Sequence, residues 1–176
     1  MEYFTLKIEN ITRKLPIIAL SPKIKVASFN LLGDRELVEV LAKKLYLKIR
    51  NIEFDYLVGP EVKVVPLLQE LSRLIGIDRY IICRKEIHGY MVQPIKTKKE
   101  PHLVLNGADV ALICGKRVII VDDVITTGNT VSAVEELMQK SKTQVVAEVA
   151  VFKQGDRLNP TQKEIIVLGE LPVFKP

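Results

Sequence analysis

Two adjacent carboxylates, Asp122-Asp123, follow the apolar run Val118-Ile119-Ile120-Val121, and after Val124-Ile125 comes the loop Thr126-Thr127-Gly128-Asn129-Thr130. A pair of acids at the edge of a buried strand is costly unless the acids hold something. Adjacent carboxylates can ligate a hard cation through oxygen, or accept hydrogen bonds from the two hydroxyls of a sugar diol. The hydroxyl-rich loop enters a helix, so its N–H groups and side-chain oxygens gather at the positive end of a helix dipole, which suits a phosphate. The bland alternative, a turn with a capping acid, needs one carboxylate rather than two.

The surrounding pattern supplies elements to position these groups. Residues 34–50, DRELVEVLAKKLYLKIR, carry acids in the first turn, bases in the last and apolar residues at helical spacing, an amphipathic helix. Phe54–Val58 reads as a short apolar strand closed by Gly59-Pro60, followed by a helix over Val64–Ile75 that Gly76 stops. Tyr80–Cys83 is a further strand ending at Arg84-Lys85. From Glu86 to Pro101 no period holds; short strands at Gly89–Val92 and Leu103–Leu105 would flank a flexible loop over 86–101. Gly115-Lys116 turns into the strand Arg117–Val121, Val131–Lys140 is helical, and Thr143–Phe152 and Glu164–Leu168 are strands. Apolar strands alternating with amphipathic helices predict an α/β fold, a mostly parallel sheet flanked by helices. Ligands of such sheets sit at the carboxyl ends of the strands, where Gly59-Pro60-Glu61, Arg84-Lys85 and Asp122-Asp123 all fall.

The 176 residues suit a single domain, 1–176, with no internal repeat or low-complexity linker. The net charge of +5 permits nucleic-acid binding or the handling of small anions. Its lysines are dispersed apart from Lys96-Thr97-Lys98-Lys99, and no aromatic residues interleave with them, so nucleic acid is disfavoured as a partner. Cys83 and Cys114 stand in apolar surroundings without CxxC spacing and read as core thiols. No apolar run is long enough to span a membrane, and MEYFTLKIENITRKLP lacks the order of a signal peptide, so a cytoplasmic location is expected. The absence of GxxxxGK[ST] argues against a P-loop nucleotidase.

The run VIIVDDVITTGNT resembles the phosphoribosyl-pyrophosphate motif of the type I phosphoribosyltransferases. The resemblance covers nearly the whole chain and points to the purine branch, adenine- and xanthine-like. Gly59–Leu67 resembles that branch's pyrophosphate loop, and Cys83-Arg84-Lys85 its Arg-Lys pair. Lys25–Phe29 resembles the start of a base-covering hood, and Leu168–Phe174 a C-terminal segment of some members; the hood is expected from residues 1–33 and 165–176. There are departures. Val64 stands where Gly is frequent, and Asn129 replaces a usual Gly, a change that asparagine's access to left-handed conformations would accommodate. The Tyr-x-x-Glu-Tyr loop of the adenine enzymes has no match in Glu86–Pro101.

The resemblance implies joining a purine base, adenine first, to 5-phosphoribosyl 1-pyrophosphate (PRPP), giving the nucleoside monophosphate and pyrophosphate. Asp122 and Asp123 would hold the ribose hydroxyls and contact Mg²⁺ directly or through water, and Thr126, Thr127, Gly128, Asn129 and Thr130 the 5′-phosphate. Glu61, Val62 and Lys63 would border the pyrophosphate, with Arg84 and Lys85 as catalytic cations. Lys63 is equally well read as solvated surface. Phe29, Asn30 and Val124 would meet the base, Phe29 being equally a core residue, and Phe174 would pack beside the base or a neighbouring subunit. Lys96, Lys98 and Lys99 read first as a solvated run and second as a cover for the leaving group. His88 reads as a partly exposed histidine rather than a proton carrier. A homodimer is expected from the family. Hypoxanthine, guanine or xanthine as the base, and a non-catalytic regulator that senses PRPP or purines, are the alternatives.

Overall fold

A computed structural model describes residues 1–98, 100–155 and 165–175; Lys99 and Glu164, named above, lie outside the described residues. The chain opens with three antiparallel strands, β1 (Tyr3–Ile8), β2 (Ile11–Ser21) and β3 (Ile24–Ala27). Then follow α1 (Arg35–Ile49), β4 (Tyr56–Pro60), α2 (Val65–Ile75) and β5 (Ile81–Cys83). A short hairpin, β6 (Ile95–Lys96) and β7 (Val104–Leu105), precedes α3 (Gly107–Ile113). The chain continues through β8 (Arg117–Ile125), α4 (Asn129–Lys140), β9 (Gln144–Gln154), β10 (Ile165–Leu171) and β11 (Val173–Phe174).

The main sheet has the order β10-β9-β8-β4-β5, and every pairing in it is parallel. Alternation along β8 decides its two faces. Ile119 and Val121 pack with Leu57 and Val149 against α1 and α2, whereas Val118 and Ile120 pack with Val58 and Ala150 against α4. A strand buried on both faces has to be apolar throughout, which is why its sequence reads as a run rather than an alternation. Helix α1 starts on Asp34, whose side chain accepts the Leu37 N–H at 3.1 Å. Arg13 of β2 clamps that same carboxylate at 2.6 and 2.9 Å and also reaches Glu36 at 2.8 Å. The Arg13 guanidinium holds the Asp34 carboxyl below its ordinary value.

The second sheet, β1-β2-β3-β11, is built from both ends of the described chain. The C-terminal segment divides: Ile165–Leu171 joins the main sheet, and only Val173–Phe174 pairs with β3. The buried Gln154 side chain ties the sheets by donating to the carbonyls of Ala27 (3.1 Å) and Pro172 (3.3 Å). Among the described residues no helix is long and apolar enough to cross a membrane.

Four expectations are corrected. Strand β8 runs past Val121 to Ile125 because β9 stays paired with it as far as Ile125↔Lys153, so the acids lie within the strand. Gly89–Val92 forms no strand. Its last residue instead packs on the start of α3, Val92 N–H donating to Asn106 Oδ1 (3.0 Å) and its carbonyl accepting from Gly107 N–H (2.9 Å). Cys114 is exposed, because it follows the last turn of α3, while Cys83 is fully buried. The left-handed residue of the hydroxyl loop is Gly128 (φ 78°), and Asn129 opens α4 with an ordinary helical backbone.

Candidate functional site

A cavity of about 760 Å³ opens at the carboxyl ends of β4 and β8. Asp122 and Asp123 form part of its wall, at 6% and 8% exposure. An Asp122 carboxylate oxygen accepts the Asp123 N–H at 2.8 Å. Burial, and then the neighbouring Asp123 charge, push the Asp122 carboxyl well above its ordinary value, and Lys63 partly offsets them. The Lys63 ammonium stands 3.7 Å from Asp123 Oδ2 and 3.4 Å from the Phe29 carbonyl oxygen. At 3.7 Å it is an ion pair without a hydrogen bond, and Asp123 Oδ2 has no hydrogen-bond partner among the described residues. A buried carboxylate oxygen left in that state is costly, and a ligand hydroxyl or a cation would relieve it.

The connection from β4 into α2 supplies Glu61, Val62, Lys63 and Val64 to the wall, and the Glu61–Val62 peptide is cis. Val64 has φ −80° and points its side chain inward, 1% exposed, so a residue with a Cβ is accepted there without backbone strain. Lys85 also lines the cavity, but its neighbour Arg84 does not. The Arg84 guanidinium is engaged instead by Glu61 through Nε, by Tyr90 Oη at 2.7 Å and by His88 Nε2 at 2.9 Å. The His88 ring stacks on Tyr90, with centroids 5.4 Å apart. The second Glu61 oxygen accepts the Lys85 N–H at 2.7 Å. Arg84, expected from sequence as a catalytic cation, is therefore held by the chain's own Glu61, Tyr90 and His88.

The segment leaving β3 adds Ser28, Phe29, Asn30 and Leu32, and β8 itself adds Val124. Phe29 is 3% exposed and meets Phe152 edge to face at 5.0 Å, which commits most of its ring to the core. Thr130 is the one member of the hydroxyl loop that lines the cavity; Thr126, Thr127 and Asn129 are exposed beside it. The N-cap residue of α4, Gly128, has no side chain, and the Thr127 hydroxyl accepts the Asn129 N–H at 3.4 Å, so the positive end of the helix dipole and a loop hydroxyl lie together beside the cavity. Glu100, Pro101 and His102, from the β6–β7 connection, complete the wall, with His102 Nε2 3.2 Å from a Glu100 oxygen. Sequence reasoning missed Glu100 and His102, since the aperiodic charged segment around them offers no signal of where the hairpin folds back. Among the described residues no three His, Cys, Asp or Glu side chains cluster as a metal cage.

A phosphoribosyl transferase domain model matches residues 32–174. A hypoxanthine/guanine phosphoribosyltransferase of Methanobacterium lacus is 30% identical over 62% of this chain and 57% of its own length. The adenine phosphoribosyltransferase of Desulfitobacterium hafniense is 31% identical over 71% of this chain and 73% of its own. The chain thus spans little more than half of the hypoxanthine/guanine relative. In fold, the crystal structure of adenine phosphoribosyltransferase from Thermoanaerobacter pseudethanolicus superposes with TM-score 0.73 at 22% identity, covering 89% of this chain and 95% of that one.

Proposed function

Starting from a chain that belongs to the phosphoribosyl transferase family, we propose that it joins a purine base to PRPP, with adenine as the first candidate. The observation that carries this reading is a buried acid pair with one unsatisfied oxygen, in the same cavity wall as Thr130 in the first turn of α4. Asp122 and Asp123 take the two ribose hydroxyls, and the loop Thr126–Thr130 takes the 5′-phosphate through its amides and hydroxyls. Breaking the bond from the anomeric carbon to pyrophosphate leaves positive charge on the ribose, which the adjacent carboxylates stabilise. A purine ring nitrogen then bonds to that carbon and loses its proton. Glu100 or His102, both of which line the same cavity, is the proposed acceptor. Lys63 and Lys85 hold the departing pyrophosphate, with Arg84 able to join them once Glu61 releases it.

Two neighbouring carboxylates with a spare oxygen are a hard-donor set that fits Mg²⁺ carried in on the diphosphate. Such an ion would shield the leaving group's charge, and Asp122 or Asp123 would touch it directly or through water. The base would lie between Val124 and the strip Phe29–Asn30, with Phe29 offering an edge rather than a stacking face. The adenine relatives in fold and sequence support adenine, and the hypoxanthine/guanine relatives support 6-oxopurines as the second candidate. The test is pyrophosphate release with Mg²⁺, PRPP and each purine in turn. Release with one base identifies the substrate. No release with any base, together with tight binding to DNA or RNA, would replace this reading with that of a regulator.

A further inference from the structure

Lys96 and Lys98 of the β6–β7 hairpin do not line the acid-pair cavity. The hairpin is tied to the far end of α4: Lys98 N–H donates to Glu136 at 2.8 Å, and the Lys140 ammonium donates to the Lys96 carbonyl at 2.5 Å. Lys140 also pairs with Glu136 at 2.7 Å. These contacts enclose a second cavity of about 610 Å³, with Lys85, Lys96, Lys98, Lys140 and His102 on its wall. Among the described residues, Glu136 is the one carboxylate ion-paired to any of these four lysines, and Lys85, Lys96 and Lys98 form no ion pair. Four lysines on the wall of one cavity concentrate positive charge there. The hairpin's attachment to α4 keeps them from dispersing.

We propose that this cavity is a second anion site, which takes a linear oligophosphate, either as an inorganic chain or as the phosphate tail of a nucleotide. A chain of phosphates brings more than one negative charge per group when its ends are ionised, and flexible lysine stems adapt to it as point charges. A single carboxylate ligand would leave most of the lysine charge uncompensated. Lys85 and His102 line both cavities. An anion bound here therefore changes the field at the first cavity, and by linkage each site alters the other's affinity by the same factor. The site rests on its own charges and geometry, not on the transferase reading.

The test is calorimetric titration of the full chain with tripolyphosphate, and separately with ATP. Lys96→Gln combined with Lys98→Gln should weaken tripolyphosphate binding at least tenfold, with the melting temperature retained because both side chains are exposed. Asp122→Asn with Asp123→Asn should keep that binding, which separates it from the acid-pair cavity. Any component that survives the lysine changes belongs to that first cavity. Equal affinities for tripolyphosphate and ATP would show that the phosphate chain alone is read, and tighter ATP that the nucleoside rests on exposed Ile87. Wild-type protein that binds neither anion, or a lysine variant that binds both as wild type does, overturns the proposal. Absence of transferase turnover would leave the titration result unaffected.

Discussion

Gly59 links the fold to the acid pair. A Cβ added there would lie 2.7 Å from the Val121 carbonyl oxygen and 2.9 Å from both Leu68 Cδ1 and Val64 Cγ1. Leu68 and Val64 are at most 1% exposed, so neither has a route to solvent. The Val121 carbonyl belongs to a strand held between β4 and β9, so it cannot retreat alone. Gly59→Ala is expected to cost about 1–3 kcal/mol, the range for overpacking, or roughly 4–8 °C in Tm for a 2 kcal/mol loss in a chain of this size. Val64→Ala alone removes two buried methyl groups and should cost about 2 kcal/mol. Combined, the changes should be less damaging than their sum by about 1 kcal/mol, since the new methyl fills part of the space that Val64 vacates. Recovery stays incomplete, because the Val121 contact remains. Val121 also precedes Asp122, so displacing its carbonyl moves the acids and turnover should fall even where Gly59→Ala is mostly folded. Urea unfolding of the four proteins, with pyrophosphate release alongside, measures both effects. Additive losses to within about 0.5 kcal/mol, or a Gly59→Ala variant as stable and active as wild type, would refute the packing argument.

Asp122→Asn with Asp123→Asn should abolish pyrophosphate release while circular dichroism keeps the wild-type form; unchanged turnover would remove both acids from the site. Asp122→Asn alone carries a pH signature. Burial raises this carboxyl in the folded state, so wild-type stability is fully present below the unfolded value and declines as pH rises through the folded one. The amide escapes that decline, so Tm should rise at neutral pH and match wild type below about pH 4; equal melting at both pH values would contradict the assigned burial penalty. Glu61→Gln should free Arg84 from its ion pair and strengthen product inhibition by pyrophosphate a few-fold, and an unchanged inhibition constant would place Arg84 outside the site. A thiol reagent should label one cysteine of the native protein and two after denaturation, because Cys114 is exposed while burial pushes the Cys83 thiol up to about 12; two fast-reacting native thiols would contradict it.

The parallel sheet and its three longer helices were legible because each strand buried on both faces leaves an apolar run and each of those helices leaves a periodic stripe. The same signal located Asp122-Asp123, since charge inside such a run stands out. It failed where structure is non-local. Strands β1 and β2 mix exposed and buried positions, and β11, which completes their sheet beside β3, is only two residues long, so no local pattern announces the sheet. Arg84 was legible as a cation near a strand end, but its capture by Glu61, 23 residues earlier, is a tertiary fact. Phe29 shows the same limit: an aromatic residue beside a pocket reads alike whether its ring faces a ligand or, as here, Phe152. Helix α3 went unread because seven residues are too few to establish a period.

The sheet shared by the two ends of the chain has a consequence for biosynthesis. A ribosome emits roughly 5–20 residues per second, so the first three strands emerge seconds before Val173–Phe174, the pair that covers the β3 edge. During that interval the edge is an open template for any nascent neighbour on the same message. Yield should therefore respond to translation speed and to chaperones that shield the early strands.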